Sequence, residues 1–239
     1  MNCKTVTVIP ARLGSTRLNE KPLIDLKGKT LIQRVWENAL NLKNSDELVI
    51  ATDSEKIKKT VENFGGVCYL TPPDLKSGSD RVAYTVSHYM DDMDIVVNLQ
   101  GDEPFIDTGV VDKLIELAKQ EKAGLYSAYY PVNRETAGDK SVVKVVLNSK
   151  NKALYFSRSM IPWNAQTYNK HIGVYVWKKD SLMKFSSSAS SELEKIERLE
   201  QLRFLEKGGT IMMLPSAGDS LGIDTRDDVK RAKKIIGEK

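Results

Sequence analysis

The chain has 239 residues, 41% hydrophobic and 28% charged, and its 36 basic and 32 acidic residues leave a formal net charge of +4. No apolar run approaches the roughly 18 residues that cross a bilayer, and the charges are mixed, so neither a membrane segment nor a nucleic-acid partner is expected. Two cysteines are too few for a disulfide framework, and the first residues lack the features of a secretory leader, which favours a cytoplasmic location. The length suits a single domain over residues 1–239.

The first predicted element is a β-branched, alternating strand over residues 5–9, which the next residue, a proline, ends. The loop that follows, residues 11–22, contains a glycine, two hydroxyl residues and three cations. Glycine lets backbone N–H groups approach an anion, and Arg12, Arg17 and Lys21 can neutralise phosphate. The glycine spacing is that of neither a Walker loop nor a dinucleotide fingerprint. The loop therefore indicates a phosphate site, with a solvated basic loop as the alternative.

Strands and helices then alternate as far as residue 70. Apolar residues recur at helical spacing in the first predicted helix, and Asp53 or Ser54 caps the second one. The alternation predicts βαβ units and a parallel sheet, which is the α/β class. The predicted elements are helices over 30–42 and 54–64 and strands over 47–51 and 67–70.

Residues 77–81, Ser-Gly-Ser-Asp-Arg, lead into a predicted helix over 81–90. Small hydroxyl residues beside a glycine suit the close approach of a ligand. They are also what an ordinary helix start requires, so this stretch leaves both interpretations open.

Residues 94–104 are the most informative stretch of the chain. Their apolar, β-branched first half predicts an internal strand, which a Gln-Gly-Asp sequence ending at Asp102 interrupts. Ligands of open α/β sheets lie just beyond such strand ends. Asp102 is therefore a candidate ligand for Mg²⁺ that also holds phosphate, with helix capping as the alternative. For Asp107, capping of the next helix, over 108–121, is the preferred interpretation.

From residue 124 the pattern becomes mixed, with short strands joined by turns. His171 stands at the predicted entrance of a strand and faces a loop that contains Arg158, although a structural histidine is the alternative. Asp224 follows a glycine and precedes the last helix, where it could cap that helix or share a cation with Asp102. The predicted elements are strands over 125–132, 142–147, 153–157, 171–177 and 210–214 and helices over 192–207 and 226–236.

Several motifs recur in a fixed order along nearly the whole chain. They occupy residues 9–22, 77–81, 98–104 (Asn-Leu-Gln-Gly-Asp-Glu-Pro), 143–147, 153–162, 171–175 (His-Ile-Gly-Val-Tyr), 197–203 and 222–225 (Gly-Ile-Asp-Thr). In this combination they resemble the motifs of the 3-deoxy-D-manno-octulosonate cytidylyltransferases, also called CMP-Kdo synthetases. Their joint occurrence is highly specific.

The resemblance implies a three-layer, doubly wound, mostly parallel sheet of the glycosyltransferase-A-like nucleotidyltransferase kind. It further implies that residues 124–178 form a smaller mixed β subregion, which contributes to the sugar site and to the contact of a homodimer. The implied reaction is Mg²⁺-dependent transfer of CMP from CTP to the anomeric hydroxyl of the acidic sugar Kdo. The products would be pyrophosphate and CMP-Kdo for lipopolysaccharide biosynthesis.

The resemblance also implies roles for individual residues. Nucleotide binding falls to Ala11, Arg12, Ser15, Lys21, Ser77, Gly78 and Gln100. Sugar binding falls to Arg158, His171, Glu200 and Gln201. The catalytic residues are Lys21, Asp102 and Asp224, of which Asp102 and Asp224 would bind Mg²⁺.

The identity of the sugar stays open at this point. Residues 163–171 are shorter than the loop that family members commonly carry beside the sugar pocket, so another acid sugar, such as 8-amino-3,8-dideoxy-octulosonate, is an alternative acceptor. A non-catalytic nucleotide-binding regulator with the same fold is the alternative from another class. The joint presence of Lys21, Asp102, Arg158 and Asp224 argues against a regulator.

Overall fold

A nine-stranded sheet runs through the residues that the computed structural model describes, 3–14 and 18–237. The strands are Thr5–Ala11 (β1), Glu47–Thr52 (β2), Cys68–Leu70 (β3), Ile95–Leu99 (β4), Leu125–Val132 (β5), Lys144–Leu147 (β6), Ala153–Ser157 (β7), Tyr168–Lys178 (β8) and Ile211–Pro215 (β9). The helices are Leu31–Ala39 (α1), Glu55–Asn63 (α2), Gly78–Tyr89 (α3), Thr108–Gln120 (α4), Arg134–Ala137 (α5), Lys179–Ser186 (α6), Glu192–Glu197 (α7), Gln201–Glu206 (α8) and Arg226–Gly237 (α9).

The sheet is mostly parallel, as the strand–helix alternation predicts. Its main order is β3-β2-β1-β4-β8-β5-β9, and β6 joins it by pairing with β7 and β8. Strands β3, β2, β1 and β4 are parallel neighbours, as are β5 and β9. Strand β8 lies between β4 and β5 and is antiparallel to both. The predicted fold class is confirmed.

Alternating side chains of β4 explain the three layers. Ile95, Val97 and Leu99 pack into the core under α1, α2 and α4, whereas Val96 packs into the opposite core under α3 and α6. All four side chains are fully buried. A strand covered by helices on both faces is apolar on both faces, which is why β4 reads as a continuous β-branched run.

Strand β1 is longer than predicted, because it continues through Pro10 to Ala11. Pairing of β1 with β4 ends at Val8, whereas pairing with β2 continues to Ala11 and sets Pro10 opposite Ala51. A proline lacks the backbone N–H of a ladder bond, so it is tolerated where a strand has no partner on one side. The prediction that the strand ends at Pro10 is wrong for this reason.

The helix predicted over 192–207 is two helices. Arg198 takes a left-handed conformation with φ 57° and ends α7, and α8 begins at Gln201. The break coincides with contacts to β7, since the Glu197 carboxylate accepts hydrogen bonds from Ser157 Oγ (2.6 Å) and from Arg158 N (2.9 Å). Apolar spacing could not reveal a break that depends on a distant strand.

Three other boundaries differ from the sequence predictions. Helix α6 follows β8 directly and has no counterpart among the predicted elements. Helix α3 begins at Gly78 rather than at residue 81, because the Ser77 side chain caps it by accepting from Asp80 N at 3.1 Å. Strand β8 begins at Tyr168, so His171 lies within the strand and not at its entrance.

Candidate active site

A cleft of about 310 Å³ opens where β1 and β4 end at the same edge of the sheet. Ligand sites of open α/β sheets lie at such an edge, because parallel neighbours deliver their following loops to one place. The predicted nucleotide and metal residues that line the cleft are Ala11, Arg12, Lys21, Ser77, Gly78, Gln100, Asp102 and Asp224. Ser15, also predicted to bind nucleotide, lies outside the described residues.

Lys21 connects the two predicted metal ligands. Its Nζ lies 2.5 Å from Asp102 Oδ2 and 2.8 Å from Asp224 Oδ1, and the lysine side chain is only 15% exposed. Burial lowers the pKa of Lys21, but Asp102 and Asp224 together raise it above its ordinary value, so the ammonium stays charged. Both carboxylates therefore reach a single cation in this arrangement.

Other residues cap the two neighbouring helices. Asp107 is the N-cap of α4, as predicted, and its carboxylate accepts a backbone hydrogen bond at 2.9 Å. At the start of α9, Thr225 Oγ1 accepts from Asp228 N at 3.2 Å. The capping interpretation of Asp102 is thus wrong, because Asp107 caps the helix that follows, and the carboxylates of Asp102 and Asp224 both reach Lys21 inside the cleft.

One glycine allows two backbone segments around the cleft to pack closely. A Cβ at Gly101 would lie 2.7 Å from the carbonyl oxygen of Pro10, so only glycine lets the end of β4 approach the end of β1. A Cβ at Gly78 would make only an ordinary van der Waals contact with the Pro10 ring, at 3.4 Å. Because Ser77 caps α3 and also lines the cleft, it serves both as a helix start and as part of the candidate site.

The four predicted sugar residues do not line this cleft, although Glu200 is connected to it by hydrogen bonds. Gln100 Nε2 donates to Asn98 Oδ1 at 3.2 Å, and Asn98 Nδ2 donates to Ser79 Oγ at 3.0 Å. Ser79 Oγ in turn donates to Glu200 Oε1 at 2.6 Å. Burial raises the pKa of Glu200 above its ordinary value. This chain of polar groups couples the end of β4 to the start of α8.

Gln201 and His171 belong to a second buried group around Tyr175. The Tyr175 hydroxyl donates to Gln201 Oε1 at 3.1 Å, and the His171 and Tyr175 rings lie 5.6 Å apart. Gln201 Nε2 is buried and has no hydrogen-bond partner within the part of the chain that the structure describes. Buried polar groups are seldom left unpaired, so this amide marks a place where a ligand acceptor would be favourable.

Arg158 lies at the end of β7 and is held by several backbone contacts. Its Nε donates to the Glu197 carbonyl oxygen at 3.1 Å and its Nη1 to the Lys140 carbonyl oxygen at 3.2 Å. The carbonyl oxygen of Arg158 accepts from Lys144 Nζ at 2.6 Å, and Lys144 is fully buried. The sequence placed Arg158 opposite His171, but no hydrogen bond joins these two side chains among the residues described here.

Glu103 follows Asp102 but is not among the residues that line the cleft. Its Oε2 accepts a hydrogen bond from Ser220 Oγ, and a Cβ at Gly222 would lie 3.1 Å from its Oε1. Burial, and then the adjacent charge of Asp102, raises the pKa of Glu103 to about 7. Glu103 thus contacts the loop that carries Asp224.

The comparisons with known proteins identify the family. The cytidylyltransferase family model matches residues 6–212. The chain belongs to this family. A 3-deoxy-manno-octulosonate cytidylyltransferase from Thermodesulfovibrio yellowstonii is 41% identical over 97% of this chain and 98% of its own length. An 8-amino-3,8-dideoxy-manno-octulosonate cytidylyltransferase from Shewanella baltica is 39% identical over 96% of this chain and 97% of its own length.

A solved structure agrees with this assignment. A CMP:2-keto-3-deoxy-manno-octonic acid synthetase complexed with CTP aligns with a TM-score of 0.93 at 36% identity, covering 98% of this chain and 99% of the other. The resemblance drawn from the motifs is confirmed, and the chain is a cytidylyltransferase.

Two cations of the cytidylyltransferase cleft received no role from the sequence. Arg81 lines the cleft, is 3% exposed, and donates from Nη2 to Asp53 Oδ2 at 3.2 Å. Burial lowers the pKa of Arg81. Lys76 also lines the cleft and is exposed. Lys76 precedes the Ser-Gly-Ser-Asp-Arg motif and Arg81 ends it. Their positive charges beside this motif were the sequence feature that could have identified them as cleft residues.

The structure assigns a tautomer to His171. Ser127 Oγ must donate its one proton to the carbonyl oxygen of Val174, 2.6 Å away, so it accepts from His171 Nε2 at 2.9 Å. Burial lowers the pKa of His171 to about 3. His171 therefore stays neutral near pH 7, which suits a hydroxyl partner rather than a carboxylate.

We expect His171 to make the cytidylyltransferase less stable in acid. The unfolded chain binds a proton at this histidine below about pH 6.5, whereas the folded chain does not until about pH 3, so stability falls as the pH falls between these values. From pH 6.5 to 5 the contribution amounts to about 2 kcal/mol of unfolding free energy. Urea unfolding at both pH values measures it. Between these pH values, His171→Gln should lose about 2 kcal/mol less unfolding free energy than the wild type. His88→Gln, which replaces the exposed histidine, should lose as much as the wild type. Equal losses in all three proteins would contradict the assignment.

Two kinds of feature are absent from the described residues. No helix there is long and apolar enough to cross a membrane. No group of three or more His, Cys, Asp or Glu side chains gathers into a metal centre within the same residues. A cation held by Asp102 and Asp224 would therefore need further ligands, which the phosphates of a nucleotide supply.

Proposed function

We propose that this cytidylyltransferase transfers CMP from CTP to the anomeric hydroxyl of 3-deoxy-D-manno-octulosonate, releasing pyrophosphate and supplying CMP-Kdo for lipopolysaccharide biosynthesis in the cytoplasm. The observation that carries the proposal is the joint position of Lys21, Asp102 and Asp224 at the strand ends. The names of the relatives at 41% identity support the choice of sugar. The sugar oxygen forms a bond to the α-phosphorus, the bond from that phosphorus to the pyrophosphate oxygen breaks, and the hydroxyl proton is released.

The nucleotide would occupy the cleft lined by the two basic segments. Arg12 and Lys21, with the backbone around Ala11, would hold the phosphates, because these residues line the cleft and cations form strong charge-assisted hydrogen bonds to phosphate. On the other side of the cleft, Ser77, Gly78 and Gln100 would contact the base or the ribose. This arrangement would place the α-phosphorus near the carboxylate pair.

Asp102 and Asp224 would hold Mg²⁺. Mg²⁺ usually takes one or two protein carboxylates together with substrate phosphates, and this pair already shares one cation, the Lys21 ammonium. When bound, the ion would polarise the phosphate and neutralise the charge that develops on pyrophosphate. Lys21 would then turn to the phosphates, where its positive charge is equally useful.

The acid sugar would bind beyond the end of β4, among Arg158, His171, Glu200 and Gln201. The unpaired Gln201 Nε2 and the neutral His171 offer hydrogen-bonding groups for sugar hydroxyls. A guanidinium such as that of Arg158 suits the sugar carboxylate. The hydrogen bonds from Gln100 to Glu200 connect this region to the nucleotide cleft.

A homodimer is part of the proposal. Within the β subregion 124–178, Leu154 is 58% exposed and Trp163 is 91% exposed, which are large apolar exposures for a monomer surface. Sedimentation velocity of the wild type and of Trp163→Ser, together with Leu154→Ser, would test it. A monomeric wild type would remove this element without affecting the proposed reaction.

The 8-amino sugar is the second candidate acceptor, because a relative of that name matches almost as well, at 39% identity. Pyrophosphate release should be measured with CTP, Mg²⁺ and three acids: Kdo, its 8-amino analogue and sialic acid. Release is expected to be fastest with Kdo. Faster release with another acid would change the acceptor, and no release with any acid would favour the non-catalytic regulator.

A further inference from the structure

The loop between β9 and α9, residues 216–224, is fastened at several points to the segment that follows β4. At its start, Ser216 Oγ and Ala217 N lie 3.3 and 3.2 Å from Asp107 Oδ2. At its end, Ile223 N donates to the carbonyl oxygen of Asp102 at 2.9 Å. Asp224 follows directly, so the fastening of this loop sets the distance between Asp224 and Asp102.

Glu103 holds the middle of the same loop. Its carboxylate accepts from the hydroxyl of Ser220, which is 3% exposed. The loop backbone passes so close that a Cβ at Gly222 would lie 3.1 Å from Glu103 Oε1. The Glu103 side chain is therefore hydrogen-bonded to the loop four residues before Asp224 and lies close to the loop backbone two residues before it.

Strand β8 fixes the loop from its other side. Lys170 Nζ donates to Asp219 Oδ1 at 2.7 Å and to the Ser220 carbonyl oxygen at 2.9 Å. Ser220 is thus held by its hydroxyl on Glu103 and by its carbonyl on Lys170. The loop cannot shift without breaking one of these contacts.

We propose that Glu103 is a positioning residue, which sets Asp224 against Asp102 through its contacts with Ser220 and Gly222 and so determines how tightly the carboxylate pair binds a divalent cation. The inference rests on the proposed function, because it assigns that cation to Asp102 and Asp224. Mg²⁺ demands near-ideal octahedral geometry at about 2.0–2.1 Å, so a small displacement of one carboxylate weakens binding. Glu103 itself contacts neither the cation nor the substrate.

The experiment compares Glu103→Ala, Glu103→Gln, Ser220→Ala and the double alanine variant. Mn²⁺ affinity is measured by electron paramagnetic resonance on the CTP-bound protein, and exchange of the Ile223 amide is measured by NMR without metal. Glu103→Ala and Ser220→Ala should each weaken Mn²⁺ binding about 10-fold and speed Ile223 exchange by a similar factor, and the double variant should be no worse than the singles. Glu103→Gln should stay close to wild type, because its amide oxygen still accepts from Ser220.

Two outcomes would overturn the proposal. Wild-type Mn²⁺ affinity and Ile223 exchange in both folded single alanine variants would show that the contact positions nothing. Equal damage in Glu103→Gln and Glu103→Ala would show that charge, and not the Ser220 contact, matters. Glu62→Ala, which removes an exposed glutamate of α2 paired with Lys58, is the control and should change neither quantity.

The proposed function is tested by a separate measurement. Pyrophosphate release by the wild type reports on the reaction alone. If the wild type turns over and the variants bind Mn²⁺ normally, the inference fails and the function stands. If the wild type does not turn over, the function fails, while Ile223 exchange still reports whether Glu103 positions the loop.

Discussion

Asp102→Asn should lower kcat by about 1,000-fold or more while the protein stays folded. An amide offers Mg²⁺ a neutral oxygen in place of a carboxylate and leaves Asp224 as the only charged ligand of the proposed pair. The fold should persist, because the substitution changes only a side chain, which is hydrogen-bonded to Lys21. The backbone carbonyl of Asp102, which accepts a hydrogen bond from Ile223 N, is unchanged. Pyrophosphate release and thermal unfolding measure the two effects.

Asp227→Asn is the matched control for Asp102→Asn. Asp227 lies on α9 close to the site in sequence, but its side chain is 81% exposed and pairs with Lys230. It should keep wild-type turnover. Near-normal activity of Asp102→Asn would remove Asp102 from the proposed metal site, and a large loss in Asp227→Asn would show that the effect is not specific.

Lys21→Met should separate catalysis from cation binding. Turnover with CTP should fall about 100-fold or more, because the phosphates lose a partly buried ammonium. Mn²⁺ affinity of the nucleotide-free protein should instead rise, because Asp102 and Asp224 lose the internal cation that now neutralises them. Electron paramagnetic resonance titration with Mn²⁺ measures this second effect.

The control for Lys21→Met is Lys56→Met. Lys56 is an exposed lysine of α2 that pairs with Glu20 at 2.6 Å, so its loss removes an ion pair outside the cleft. Both turnover and Mn²⁺ affinity should match the wild type. If Lys21→Met bound Mn²⁺ more weakly than wild type, the lysine would be assisting the cation and not replacing it.

Local sequence patterns were sufficient to predict the sheet and the position of the cleft. The β-branched run of β4 and the polar break after it reveal both a buried strand and the edge at which a ligand lies. These patterns could not predict that Lys21 pairs with Asp102 and Asp224, since 81 residues separate it from the first and 203 from the second. The motif resemblance identified all three residues, but it assigned Lys21 only to phosphate binding and catalysis.

The errors have a common physical cause. Pro10 is tolerated in β1 because one neighbour has already ended, and Arg198 breaks a helix beside a contact between Glu197 and β7. His171 is buried within β8 rather than at its start. Each outcome depends on a neighbour distant in sequence, which hydrophobic periodicity does not encode. The single-domain boundary, the homodimer, the Mg²⁺ dependence and the roles of the individual site residues stay predictions.

The reversed direction of β8 has a consequence for how such a protein can change its acceptor. Residues 174–178 of this strand pair with β4, whereas residues 168–172 lie past the end of β4 and pair with β5. One strand therefore joins two modules, a nucleotide half that ends with β4 and an extension that carries His171. In the proposed site the extension carries His171, so substitutions there would alter sugar preference without touching the nucleotide half. Relatives named for two different sugars match this chain almost equally well.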